Sequence, residues 1–151
     1  MSSASTVSTT EPPTGQLVLV RLADRRYAIP IDSVREILPF RRPTRLPGAP
    51  VHVAGLLNVR GTIVTVLDLG VRLGDRAAAR PGGSIVLVEH GTKVVGAAVD
   101  EVVDVQQLAD LEMGTDGTAI APGGAVRALG RLNGEVVGVL DVQDIISQVL
   151  A

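Results

Sequence analysis

A chain of 151 residues with a formal net charge of −2 has room for one domain, or for two small subdomains around a common core. Apolar residues make up 46% of it, yet the only aromatics are Tyr27 and Phe40, so the core must be built from Val, Leu, Ile and Ala, and β-branched residues favour sheets. The lack of cysteine excludes a disulfide framework and a thiolate metal site, and no apolar run approaches the roughly 18 residues that would span a bilayer.

Residues 1–15 are rich in Ser, Thr and Pro and lack the basic and apolar regions of a signal peptide, so a disordered tail is expected there, on a cytoplasmic protein. Strands are predicted near 16–23 and 26–31, hinged at Asp24-Arg25. A short helix is predicted over 32–38, with Asp32 as its N-cap, Val34, Ile37 and Leu38 on one apolar face, and Pro39 as its stop. An irregular connector follows, from Arg41 to Pro50, with three prolines. Strands near 52–58 and 62–67 then form a hairpin, after which Asp68 caps a turn or short helix that ends at Gly74. Residues 75–83 read as a linker.

The second half predicts strands near 84–90 and 93–99, a segment 100–112 of open assignment, a Gly-rich loop over 114–124, and strands near 126–133 and 135–140. A helix over 142–150 closes the chain. Asp141 is its N-cap, Asp144 lies in the favourable first turn, and Val142, Ile145, Ile146, Val149 and Leu150 form its buried face.

These elements repeat. Leu17–Ile37 overlays Ile85–Val105 without a gap, with Val18, Leu19, Val20, Asp32 and Val34 matched by identical residues. Gly61–Leu69 likewise overlays Gly134–Val142, matching Gly61, Val64, Val66, Leu67 and Asp68. Two units are therefore expected, about 16–74 and 84–141, as two small β-barrels packed side by side. Charge divides along the same line. Residues 1–80 hold 11 Lys+Arg and 6 Asp+Glu, a balance of +5, while residues 81–151 hold 3 and 10, a balance of −7. Either the halves attract each other within one molecule, or they face different partners.

Catalytic chemistry is not visible. His52 and His90 share no metal-ligand spacing with other candidate ligands, and Ser33, Ser84 and Ser147 lie in no nucleophile elbow. There is no phosphate-binding glycine motif, and Pro122-Gly123-Gly124 reads as an ordinary turn. Arg41, Arg42 and Arg45 form a short basic group without interleaved aromatics, which argues against nucleic acid. No cofactor is expected and no enzyme. A binding module remains, and its most distinctive residue is Arg60. The second hairpin turns on adjacent Asn133 and Gly134, whereas the first appears as Asn58-Val59-Arg60-Gly61, read as the same turn with two residues inserted.

Three ordered motifs resemble the CheW family of chemotaxis adaptors over about residues 16–150. They are Val53-x-Gly55-x-x-Asn58-x-Arg60-Gly61 with Asp68-Leu69 and Gly74 following, Gly96-x-x-Val99-Asp100-x-Val102-x-x-Val105, and Ile31-x-x-Val34-x-x-Ile37-Leu38 with Pro47-Gly48. The resemblance implies a mainly β fold: two SH3-like five-stranded β-barrel subdomains with a shared hydrophobic core. It also implies a non-catalytic adaptor that couples chemoreceptors to the histidine kinase CheA at receptor arrays on the inner membrane, without itself inserting into the membrane. Its implied partners are the cytoplasmic tip of methyl-accepting chemoreceptors and the CheW-like regulatory domain of the kinase. Carried over by motif, Val34, Ile37, Asn58, Arg60, Gly61, Val99 and Val102 are the receptor-groove candidates, with Val34, Ile37, Val99 and Val102 equally readable as core. No motif carries over for the kinase-facing surface. A related module serving a pilus or second-messenger pathway, or a partner outside chemosensing, is the alternative. Gly70 departs from the family pattern, where Arg or Lys is common.

Overall fold

The structure, a computed structural model, describes residues 15–74, 76–113 and 124–150. The expected tail and most of the Gly-rich loop 114–124 lie outside these. The elements run β1 (Gln16–Leu22), β2 (Arg25–Pro30), β3 (Val34–Pro39), β4 (Val53–Val59), β5 (Thr62–Asp68), α1 (Leu69–Arg72), β6 (Ser84–His90), β7 (Lys93–Val99), β8 (Glu101–Gln107), β9 (Glu112–Met113), β10 (Val126–Leu132), β11 (Glu135–Leu140) and α2 (Val142–Leu150). One sheet has the order β8-β1-β2-β11-β10-β9 and the other β3-β6-β7-β5-β4.

Neither sheet coincides with a sequence repeat. The first takes β1 and β2 from the first repeat and β8 to β11 from the second; the other takes β6 and β7 from the second repeat and β3 to β5 from the first. The expected one-barrel-per-repeat arrangement is thus replaced by an exchange of opening hairpins. The exchange is sealed by the two parallel pairings, β2 with β11 and β5 with β7. Their registers obey the repeat: Ala28 sits opposite Val139, and their counterparts Gly96 and Val66 sit opposite each other. Antiparallel pairing obeys it too, since Val105 opposite Val18 matches Ile37 opposite Val86. The margins also correspond. Beyond β3 the chain curls back so that Thr44 bridges Leu56 of β4, while beyond β8 the short β9 pairs with β10.

Because most strands are covered on both faces, they read as near-continuous apolar runs. Val18, Val20 and Leu22 of β1 face a core shared by the two sheets, together with Leu67, Val86, Val88, Val99 and the α2 residues Val142, Ile145 and Ile146. The alternate residues Leu17 and Leu19 join Val137 and Val139 inside the first sheet. Their repeat counterparts Ile85, Leu87, Val64 and Val66 fill the second. Tyr27 enters the shared core beside Gly138, where a Cβ would stand 3.0 Å from its ring. Side chains 148–150, including the expected Val149 and Leu150 contacts, lie outside the described ones.

The predicted helix over 32–38 does not form. Residues Ile31–Ser33 make one 3₁₀ turn, entered from Pro30 with no side-chain cap, and Val34–Pro39 is strand β3 against β6. A bulge explains the misreading. The pairing register shifts between Val34 and Glu36, so Arg35 is the extra residue, and strand alternation is stretched into the three-residue spacing of Val34 and Ile37 that mimics a helix. β8 carries the same bulge, passing from Asp104 to Val102.

The charge division also finds its explanation here. Among the described residues, five ion pairs join a first-half arginine to a second-half acid: Arg21–Glu101, Arg26–Glu135, Arg35–Glu89, Arg72–Asp144 and Arg80–Asp100. The exchanged hairpins bring the halves into one another, and their opposite charges meet inside the molecule.

Segment 76–83 of the linker is an ordered strap, not a free tether. The buried Asp68 caps α1 through the Val71 N–H (3.1 Å) and also accepts the N–H groups of Ala78 (2.9 Å) and Ala79 (2.9 Å). Further along, Arg80 donates to Asp100 at 2.9 Å. Gly70 allows the strap its path, since a Cβ there would lie 2.0 Å from the Arg76 carbonyl oxygen.

Candidate functional site

One ion pair among the described residues lies wholly within the first half. Arg60 at the β4–β5 turn grips Glu36 of β3 with both guanidinium Nη atoms, Nη1 on Oε1 and Nη2 on Oε2 at 2.6 Å, a two-pronged geometry suited to carboxylate recognition. The Arg60 side chain is nevertheless 72% exposed. Its hydrogen bond and charge hold the Glu36 carboxyl below the usual range and raise Arg60 in turn.

The turn itself corrects the insertion reading. Val59 pairs with Thr62 around Arg60-Gly61, as Leu132 pairs with Glu135 around Asn133-Gly134. Both are two-residue turns with positive φ at both central residues, 50° and 85° in the first and 52° and 83° in the second. Arg60 is therefore not an insertion. It occupies the left-handed position that Asn133 holds in the twin, a conformation in which a long side chain is uncommon. Asn58 lies on β4 and ties the turn, its Oδ1 accepting the Gly61 N–H at 2.8 Å and its carbonyl accepting Arg41 Nη2 at 3.2 Å.

Around the ion pair lies a depression of about 430 Å³, lined by Arg35, Glu36, Val59, Arg60, Ile63 and Leu87 among others. Ile63 is 61% exposed at its edge. The other sheet has the counterpart, a depression of about 190 Å³ lined by Val103, Asp104, Leu132, Asn133, Val137 and Leu19 among others. The overlay equates Arg60 with Asn133, Glu36 with Asp104, Val59 with Leu132 and Leu87 with Leu19. The same end is thus built twice with different polar chemistry. One carries a clamped Arg–Glu pair. In the other, Asp104 bonds to its own neighbours Val105 and Gln106, and Arg26 contributes a guanidinium where the first end has Val94.

Of the sequence candidates, Asn58, Arg60 and Gly61 share the hairpin tip, and Ile37 is 42% exposed on β3. Val34 and Val102 occupy equivalent positions on β3 and β8, each half-buried against the shared core. Val99 is 0% exposed and offers no contact surface; it serves the core. Sequence reasoning missed Glu36 because the helix reading hid its strand position beside the turn. The repeat held the signal, since Asp104 is its acidic counterpart. Among the described residues no cluster of three His, Asp or Glu side chains could hold a metal ion, and no helix is long and apolar enough to cross a membrane.

Fold and site together define a pseudo-symmetric pair of SH3-like β units that share one core and present two unlike ends to solvent. The chain belongs to the CheW family: the CheW-like domain profile matches residues 16–150. It is 33% identical over 96 residues to a probable chemotaxis protein CheW of Rhizobium etli, covering 63% of this chain and 62% of that protein. It is 32% identical over 99 residues to the chemotaxis protein CheW of Rhizobium meliloti, covering 65% and 64%. The chain thus spans somewhat under two thirds of the length of these curated relatives. Protein PilI of Pseudomonas aeruginosa is 36% identical over 87 residues, covering 57% of this chain and 49% of PilI. The crystal structure of the scaffolding protein TtCheW from Thermoanaerobacter tengcongensis superposes with a TM-score of 0.75 at 24% identity, covering 88% of each chain.

Proposed function

We propose that this chain is a non-catalytic adaptor that couples chemoreceptors to the histidine kinase CheA, working in the cytoplasm at receptor arrays on the inner membrane. The observation that carries this reading is the Arg60–Glu36 pair, exposed on a hairpin tip of a CheW-family fold. A turn of this type needs neither charge, and Arg60 occupies a backbone position better suited to Asn or Gly. An exposed, preorganised guanidinium beside the projecting Ile63 is the composition of a contact surface, in which Arg and apolar anchors carry most of the binding energy. The two unlike ends further support an adaptor, because each offers a partner distinct polar chemistry on the same shape.

In this reading Val34, Ile37, Asn58, Arg60, Gly61 and Val102 belong to or support the receptor-facing side, Val99 acting only from within the core. A receptor cytoplasmic-tip fragment and the regulatory domain of the kinase, each titrated by fluorescence anisotropy, test it. Submicromolar to micromolar binding that falls at least tenfold in Arg60→Glu is expected; no binding of either partner by the wild-type protein refutes the reading. The match to PilI favours a second reading, in which the same adaptor chemistry serves a pilus-linked pathway. A receptor and kinase drawn from a pilus gene cluster, used in the same titration, separate the two.

A further inference from the structure

The connector between β3 and β4 carries a surface that the Arg60 end does not use. It is irregular yet held. Thr44 and Leu56 exchange two backbone hydrogen bonds of 2.8 Å, the Ala49 N–H donates to the Leu46 carbonyl at 3.1 Å, and the Val53 N–H donates to the Pro50 carbonyl at 3.0 Å. Gly55 lets the connector lie directly on β4, since a Cβ there would stand 2.1 Å from the Thr44 carbonyl oxygen. Its side chains therefore project from a fixed frame.

That frame borders a depression of about 300 Å³ whose lining combines the half-buried apolar residues Phe40, Val53, Val71 and Ala79 with the exposed Arg42 and Arg45. Neither arginine has a carboxylate partner among the described residues, whereas Arg21, Arg26, Arg35, Arg60, Arg72 and Arg80 each have one. Among the described residues the one acid lining the depression is Asp68, and its oxygens already accept the N–H groups of Val71, Ala78 and Ala79. Val51, also in the lining, is 84% exposed, and Leu46 of the same connector is 45% exposed.

We propose that this depression docks an extended, acidic segment of a partner protein, with one apolar side chain seated on Phe40 and Val53 and carboxylates on Arg42 and Arg45. Two guanidinium groups without a carboxylate partner in an otherwise apolar lining ask for that combination: neutralising charge beside a small apolar residue. A free anion leaves the apolar lining unused. A bilayer would engage the exposed Val51 and Leu46 and leave the half-buried Phe40 and Val53 unused. The site stands apart from Arg60. Six residue steps, about 20 Å, separate Val53 from Val59 along β4.

A library of random twelve-residue peptides displayed on phage, selected on the wild-type protein and depleted on Arg42→Glu/Arg45→Glu, tests the proposal. Circular dichroism checks that this variant, altered only at exposed side chains, remains folded. Enrichment of peptides pairing Asp or Glu with a Leu, Ile or Phe is expected. A synthetic peptide of the enriched sequence should bind saturably, weaken at least tenfold in the double variant and when its apolar residue becomes Ser, and bind Arg60→Glu unchanged. Loss in Arg60→Glu as well would place the peptide at the Arg60 end and overturn the separate site. Enrichment of basic or neutral peptides, or of none, overturns it. So does displacement of the peptide by millimolar inorganic phosphate, or binding to phosphatidylglycerol vesicles that the double variant abolishes while no peptide is selected.

Discussion

Replacing Gly70 by alanine sets two local effects against each other, and the geometry decides the sign. In the interior of a short helix a Gly→Ala change ordinarily stabilises by about 1 kcal/mol. Here the new Cβ would stand 2.0 Å from the Arg76 carbonyl oxygen and 3.1 Å from the Ala78 nitrogen, so the strap must move outward. Movement withdraws the Ala78 and Ala79 N–H groups from the buried Asp68 carboxylate, which they now reach at 2.9 Å each. Hydrogen bonds to a charged group contribute about 1.5–3 kcal/mol each, so losing both removes about 3–6 kcal/mol. The net expectation is a loss of about 2–5 kcal/mol. For a domain of this size, at about 2–4 °C per kcal/mol, Tm should fall by at least about 4 °C. Urea unfolding of Gly70→Ala, Asp68→Asn and the double variant supplies the assay. Coupling between the two changes is expected, because the first acts by unloading the second. If Gly70→Ala matches or exceeds the wild-type midpoint, the strap does not depend on Gly70 and the reasoning fails.

Arg60→Asn installs the residue the twin turn already uses, so the thermal midpoint should stay within about 2 °C while binding to the kinase domain or receptor fragment falls at least tenfold; a large stability loss would assign Arg60 to the fold. Glu36 has a lowered pKa in the folded chain, so whatever stability its pair supplies is present above its ordinary value of 4.5 and is lost as pH falls through the lowered value. NMR titration should show the Glu36 midpoint rising in Arg60→Ala. Asp100 follows the same sign. Burial pushes its carboxyl up, but the Ala23 N–H, Arg80 and Arg21 outweigh burial and hold it below 3.8. Asp100→Asn should therefore cost about 1.5–3 kcal/mol at pH 7 and progressively less in acid, a trend readable by urea unfolding at several pH values.

Where local chemistry sets structure, the sequence was readable. Asp68 and Asp141 cap α1 and α2 as expected, β6 and β7 keep their predicted limits, and α2 spans 142–150. The repeat was legible as well, and its register is reproduced in the pairing of both sheets. Three features were misread, the first two for reasons of tertiary origin. The hairpin exchange leaves no trace in either repeat alone, because the parallel pairs join residues far apart in sequence. The bulges at Arg35 and Val103 disguise strands as helical spacing, and with β3 went the position of Glu36. The Arg60 turn was misaligned because Asn58 and Asn133 look equivalent. Strand pairing shows that Arg60 matches Asn133 and Asn58 matches Arg131, the alignment that the Gly61–Gly134 overlay gives when it is extended upstream without a gap.

The exchange of opening hairpins makes each repeat an incomplete object. Cut within the strap, the first half would keep β3, β4 and β5 but lose β7 from beside β5 and β6 from beside β3. Its own first hairpin would be left without β11 and β8. Neither fragment could satisfy its edges alone, yet each carries the strands the other lacks. Two separately expressed halves should thus be poor monomers and good complements. Topologically the protein is a domain-swapped dimer written on one chain, and the strap supplies the high effective concentration that makes the swap intramolecular.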